Sequence, residues 1–183
     1  LILHLGELLD LPLRERNRLL LAAGFAPHFA ENALASAPLQ PALEALRHLL
    51  QAQDPNPAVV VDRHWNLVLA NRMAERLLAG VAADLLQPNC NVLKLTLHPL
   101  GLASAIINLG EWRAHLLARL RRQVAVDGNS ELSSLLQELS GYAPLPDEDQ
   151  PGGYRSPAPD VLVLLRLRSP AGELRLFSTI TVF

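Results

Sequence analysis

Residues Pro57–Leu86 read PAVVVDRHWNLVLANRMAERLLAGVAADLL. Val59-Val60-Val61 is short, β-branched and apolar on both sides, as in a central strand. After a one-turn break, Trp65, Leu67 and Leu69 alternate with Asn66, Val68 and Ala70, the period of a second strand. Asn71 can accept from the free N–H groups of a helix start. That helix is expected to run to about Leu86, with Met73, Leu77, Leu78, Val81 and Leu85 on its inner stripe.

Upstream, residues 1–26 read as two helical pieces. Ile2, Leu5, Leu8 and Leu9 share one face, Pro12 suits a first helical turn, and Gly24 ends the second piece. Residues 27–38 hold two prolines and a mixed sequence and read as a linker. Leu39–Gln53 is a further amphipathic helix, with Leu43, Leu46, Leu49 and Leu50 at helical spacing, and Asp54-Pro-Asn-Pro stops it. Downstream, Asn89–Pro99 reads as a short apolar passage, and a long helix is expected over Ala103–Val126. Another is expected from Ser130 to about Leu139, with Glu131 in its first turn. Ser140–Pro159, with five prolines and three glycines, reads as a mobile loop. Asp160–Arg168 and Glu173–Phe183 alternate around the turn Ser169-Pro170-Ala171-Gly172 and read as a hairpin. Helices, two strands, helices and two strands predict an α+β fold, an antiparallel sheet covered by helices and preceded by N-terminal helices.

The chain has 183 residues, half of them apolar, with aromatics at 4%, so aliphatic side chains must fill the core. Sixteen basic residues against eighteen acidic ones give a net charge of −2, which does not mark a nucleic-acid binder. The single cysteine, Cys90, allows no intrachain disulfide and fits a reducing cytoplasm. No apolar run reaches the ~18 residues of a membrane span, and no signal peptide is expected. The first residue and the strand-like end at Phe183 are those of a piece trimmed from a longer protein.

Four segments carry a family resemblance: LPLRERNRLLLAAGFAP (11–27), AVVVDRHWNLVLAN (58–71), NVLKLTLHP with INLGEWRAHLLARLRR (91–99 and 107–122), and LRLRSPAGELRLFSTITVF (165–183). They resemble the MmyB-like bacterial transcription regulators, of the Cro-like, Xre-type helix-turn-helix class. The resemblance implies a PAS-like ligand-binding domain. Residues 1–26 then correspond to the end of the helix-turn-helix domain, 27–56 to a linker and connecting helix, and 57–183 to the PAS-like domain, truncated at its C-terminus. It also implies a small apolar effector of the fatty-acid kind, a homodimer, and DNA contact through the recognition helix that this chain lacks.

Candidate ligand residues follow from helical geometry. On a wheel of Glu111–Val126, Trp112, Leu116, Leu117, Leu120 and Val124 span one arc, with His115, Ala118, Arg119 and Arg122 opposite. Arg113 falls inside the apolar arc. There it either meets a ligand carboxylate, snorkels, or pairs with Glu75, Asp84 or Glu111. Leu67, Leu69, Met73, Leu77 and Leu78 form a second stripe, which is either a pocket wall or ordinary core. The expected ligand set is therefore Leu67, Leu69, Met73, Leu77, Trp112, Arg113, Leu116 and Leu120.

No cofactor, metal or catalytic residue is expected. The histidines at 4, 28, 48, 64, 98 and 115 form no HxH or HxxxH pair, and no nucleophile elbow, P-loop or dinucleotide motif occurs. Arg119-Leu-Arg-Arg122 reads as a solvated face. The reading is a non-enzymatic, cytoplasmic sensor. Its rivals are an interaction module with no ligand and a small enzyme acting on acyl compounds.

Overall fold

A computed structural model describes residues 1–29, 39–87, 89–142, 163–170 and 172–177. The expected linker beyond residue 29, the loop beyond Tyr142 and the last strand beyond Phe177 lie outside the described residues. The chain divides into two compact units, Leu1–Leu46 and Arg47–Phe183.

In the first unit, α1 (Ile2–Leu8) is followed by α2 (Leu13–Ala22). Pro12 sits at the N-cap of α2, one residue before the first turn. Gly24 takes φ +82, a conformation that costs glycine nothing. It lets the Phe25 N–H reach the Leu20 carbonyl and the Gly24 N–H reach that of Leu21, at 2.8 and 3.0 Å. These two bonds satisfy carbonyls that the helix end leaves open. Buried Asn17 accepts from the N–H groups of His28 and Phe29 and donates to the Phe29 carbonyl, holding the chain after α2.

Helix α3 (Gln40–Ala52) ends inside the second unit, where β1 (Val59–Val61) and β2 (Leu67–Ala70) pair antiparallel. Among the described residues β1 has β2 as its one partner, and Val59 is 45% exposed. The central-strand expectation is thus corrected: a β-branched run is equally at home in a two-stranded ribbon. All four residues of β2 are half-buried, so its alternation does not sort the side chains into an inner and an outer face.

Trp65 does not begin the strand. It holds φ +67 in the turn before it, where the Asp62 carboxylate accepts from the N–H groups of His64 and Asn66, both at 2.8 Å. Such an Asx-type turn competes with strand pairing.

The helix after Asn71 is shorter than expected. It is α4 (Arg72–Leu78), then a break at Ala79–Gly80, then α5 (Ala83–Leu86). Gly80 lies in that break, and glycine weakens a helix interior. Asn89–Pro99 is not merely an apolar passage, because α6 (Val92–Leu97) lies inside it. Asn91 caps α6, accepting from the N–H groups of Leu93 and Lys94. The long helix also starts later than expected. Ala103–Ala105 is a 3₁₀ turn, and α7 runs Leu109–Asp127. Gly128, at φ +60, ends α7, and Asn129 caps α8 (Ser130–Ser140), accepting from the N–H groups of Glu131 and Leu132.

The hairpin is present as β3 (Leu164–Ser169) and β4 (Gly172–Phe177), in register from Leu164–Phe177 to Ser169–Gly172. The fold is α+β, with two small antiparallel ribbons beside the helices. No helix of the described residues is long and apolar enough to cross a membrane.

Candidate functional site

The largest buried cluster is built by α7. Leu109, Trp112, Leu116, Leu117 and Leu120 lie on its inner arc, the one the helical wheel predicts. They share the cluster with Leu93 and Leu97 of α6, Leu132, Leu135 and Leu139 of α8, and Leu167 of β3. Burying each leucine stabilises the fold by roughly 1.5–3 kcal/mol. Leu120 and Leu139 are 0% exposed.

Asn108 ties the entrance of α7 to the hairpin. Its amide donates to the Leu164 carbonyl at 2.7 Å and to Glu111, and its oxygen accepts from the Arg166 N–H at 3.0 Å. The Ile107 N–H donates to the Arg166 carbonyl at 2.8 Å. The Asn108 side chain is therefore spent on β3 and on Glu111, and it does not cap its own helix.

The expected ligand residues divide between two places. Trp112, Leu116 and Leu120 belong to the buried cluster, with half-buried Leu77 packed against it. Leu67 and Leu69, on β2, and Met73, on α4, are half-buried and lie outside that cluster. The Met73 sulfur accepts a long contact from Arg76, at 3.8 Å.

Arg113 reaches the end of α8, a partner its position in the sequence did not suggest. Its Nη2 donates to the carbonyls of Tyr142, Ser140 and Leu139, at 2.6, 3.2 and 3.3 Å. A cation is thus placed on the open carbonyls of the α8 C-terminus, where the helix dipole favours positive charge.

The indole N–H of Trp112 is a different case. It is buried, and among the described residues no acceptor lies within hydrogen-bond distance. The His115 ring stacks on the indole face, centroids 5.6 Å apart. The other indole, Trp65, donates to Gln123 at 2.8 Å, and the Arg119 guanidinium stands 5.4 Å over its ring. Arg119 is thus drawn out of the solvated face expected for it, onto an aromatic surface. Burial, then the neighbouring Arg122, lowers the pKa of Arg119.

Beside the cluster sits a polar group that the sequence did not suggest. Lys94 reaches Glu138 at 2.7 Å, the Tyr142 hydroxyl donates to Glu138 at 2.9 Å, and His98 meets the Tyr142 ring edge-on at 5.2 Å. Burial works to raise the Glu138 carboxyl. Hydrogen bonds from Lys94 and Tyr142 and the nearby positive charge outweigh it, so the pKa falls below its usual value. The Tyr142 phenol is pushed up, by burial first and then by its bond to the Glu138 carboxylate. Burial likewise raises the Cys90 thiol, which makes it a poor nucleophile. Among the described residues no three His, Cys, Asp or Glu side chains cluster as metal ligands would.

An α+β domain with small antiparallel ribbons and a leucine-lined helical interior defines a class of domain, not yet a family. The family comes from sequence: the profile of the MmyB-like transcription regulator ligand binding domain matches residues 42–183, and the chain belongs to that family. This is a transcription-regulator family, not an enzyme family. No curated protein and no solved structure matches the chain.

Proposed function

We infer that the chain is the sensor part of a bacterial, Xre-type helix-turn-helix regulator and binds a small apolar effector of the fatty-acid kind. The family match over residues 42–183 carries this reading. In it, residues 1–26 are the end of the DNA-binding domain, 27–56 the linker and connecting helix, and 57–183 a PAS-like ligand domain. The protein works in the cytoplasm as a homodimer, and DNA is held by a recognition helix outside this chain. The effector favours one packing of the domain over another and so changes the spacing of two DNA-binding heads. Only unequal affinity for the two packings can do this.

The effector contacts Leu67, Leu69, Met73 and Leu77 from β2 and α4, and Trp112, Leu116 and Leu120 from α7. Arg113 takes its carboxylate. Because Arg113 Nη2 also holds the carbonyls that end α8, an acid bound there competes with those carbonyls. Ligand binding is thereby coupled to the end of α8.

Native mass spectrometry of the chain purified from a bacterial host tests the reading, with a co-purified small molecule as the expected result. Met73→Trp is expected to abolish ligand-induced thermal stabilisation while the fold survives. Repeated preparations without a guest, together with no melting shift from long-chain acids, would sink the sensor reading.

That outcome favours a second reading, an interaction module that only dimerises. The complete burial of Leu120 and Leu139 supports it, since these side chains already fill their own space. Concentration-dependent association without any ligand is its signature.

A further inference from the structure

We propose that the Trp112 indole N–H is the polar anchor of the effector site, donating a hydrogen bond to an oxygen carried on an otherwise apolar molecule. The proposal rests on the sensor reading above and specifies the ligand it requires.

Trp112 is 5% exposed and its Nε1 finds no acceptor among the described residues. A buried donor without a partner is uncommon, because desolvating it without return is costly. A tryptophan at such a depth ordinarily finds an acceptor for its N–H. The neighbouring ring cannot serve: His115 stacks on the indole face at an interplanar angle of 28°, whereas the N–H lies in the indole plane.

A water is a poor substitute. It needs about three polar partners; the buried side chains clustered with Trp112 are Leu, Ile and Ala, and the hydroxyl of Tyr142, which packs against them, is bonded to Glu138. An oxygen at the end of a hydrocarbon chain meets both demands at once. The oxygen accepts from the indole, and the chain lies along leucines such as Leu116 and Leu117, which keep 8% and 7% exposure. The required chemistry is an acceptor oxygen at the indole, so a carbonyl, ester or carboxyl oxygen fits and a plain hydrocarbon does not.

The contrast with Trp65 sharpens the point. That indole donates to Gln123 in the protein itself. The two tryptophans of the chain therefore serve as an internal control, one N–H satisfied and one not.

The test uses two probes of the same shape, methyl nonyl ketone and the alkene in which C=CH₂ replaces its C=O. The full 183-residue chain is labelled with ¹⁵N, and Trp65→Phe assigns the two indole N–H resonances by removing one. The expected result is that the ketone moves the Trp112 resonance downfield and binds roughly threefold to tenfold tighter than the alkene. In Trp112→Phe the preference vanishes, since the lost ring volume affects both probes alike. Should Trp112→Phe fail to fold, the resonance of the unsubstituted chain still decides. Equal binding of both probes with an unmoved resonance overturns the anchor and leaves the sensor reading in place. Binding of neither probe overturns the anchor and also removes support for an apolar effector.

Discussion

Replacing Asn71 by Asp tests whether a single buried amide holds the start of the sensor unit together. Asn71 is 5% exposed. Its oxygen accepts from the Ala58 and Ala74 N–H groups, both at 3.0 Å. Its nitrogen donates to Asn56 O at 2.8 Å, Asp54 Oδ1 at 3.1 Å and Leu50 O at 3.3 Å. One side chain therefore joins the end of α3, the entry to β1 and the first turn of α4. Asn71→Asp keeps the shape and the two accepted bonds. It reverses the other side, setting an acceptor against two carbonyls and a carboxylate.

Two carboxylates about 3 Å apart at an effective dielectric near 20 repel by about 5 kcal/mol. The new carboxyl instead takes up a proton. From an ordinary value near 4, doing so at pH 7 costs about 4 kcal/mol. The smaller figure sets the upper bound, and the proton so gained can donate to one of the facing acceptors, which offsets about 1 kcal/mol of it. The expected destabilisation is about 3 kcal/mol at pH 7, on the order of 10 °C in Tm for a chain this size.

The sign with pH follows. The folded-state pKa of the new carboxyl is raised above its unfolded value near 4. The deficit is therefore small at pH 4, grows as pH rises through the interval between the two values, and is complete above the folded value. Asn71→Ala removes the cap without adding a charge, so its deficit, about 2–3 kcal/mol, stays level with pH. Urea unfolding from pH 4 to pH 8, with the unsubstituted chain alongside, separates the two. A flat deficit for Asn71→Asp, or one below about 1 kcal/mol at pH 7, refutes the reasoning.

Arg113→Leu opens the carbonyls at the end of α8 and is expected to cost about 1–2 kcal/mol, since Arg113 is only half-buried. Urea unfolding reads it, and no change would remove the capping role. Gly101→Ala sets a Cβ against the Leu95 carbonyl, which is backbone and cannot swing away; a loss of about 2 kcal/mol or more is expected, and a neutral result would show that the Leu100–Leu102 turn yields. The Glu173 carboxyl is held down to about 2 by hydrogen bonds from Arg166 and Arg175. Its contribution to the hairpin is therefore present above the unfolded value near 4 and lost as pH falls through about 2. Side-chain NMR titration checks this, and a midpoint above 4 would contradict it.

Most of the helices were legible because their signals are local. The Schellman-type end at Gly24, the cap at Asn71 and Glu131 in the first turn of α8 each act within a few residues of themselves. The misreadings have an equally physical cause. Ala103–Val126 reads as one helix from its apolar residues, yet Asn108 bonds to Leu164 and Arg166, 56 and 58 residues away. No window along the chain contains that contact. Asn91 was passed over because its surroundings are apolar and α6 is only six residues long, below the length at which periodicity can be read.

Trp112 and Arg113 show where sequence reading of the site stops. They are neighbours on α7, and the helical wheel places both near the apolar arc, two polar groups with the same apparent difficulty. The structure resolves them oppositely. Arg113 finds its acceptors 26 to 29 residues on, at the end of α8, a partner set by how α7 and α8 pack. Trp112 points a donor into the same leucine cluster and finds none. Periodicity reports which way a residue faces, and facing alone does not say whether a polar atom there is matched. Of the two residues, the one with charge is thus explained by the fold of the protein itself. The neutral one leaves a demand that the described residues do not meet, and the anchor proposed at the indole answers that demand beside the guanidinium proposed for an effector carboxylate.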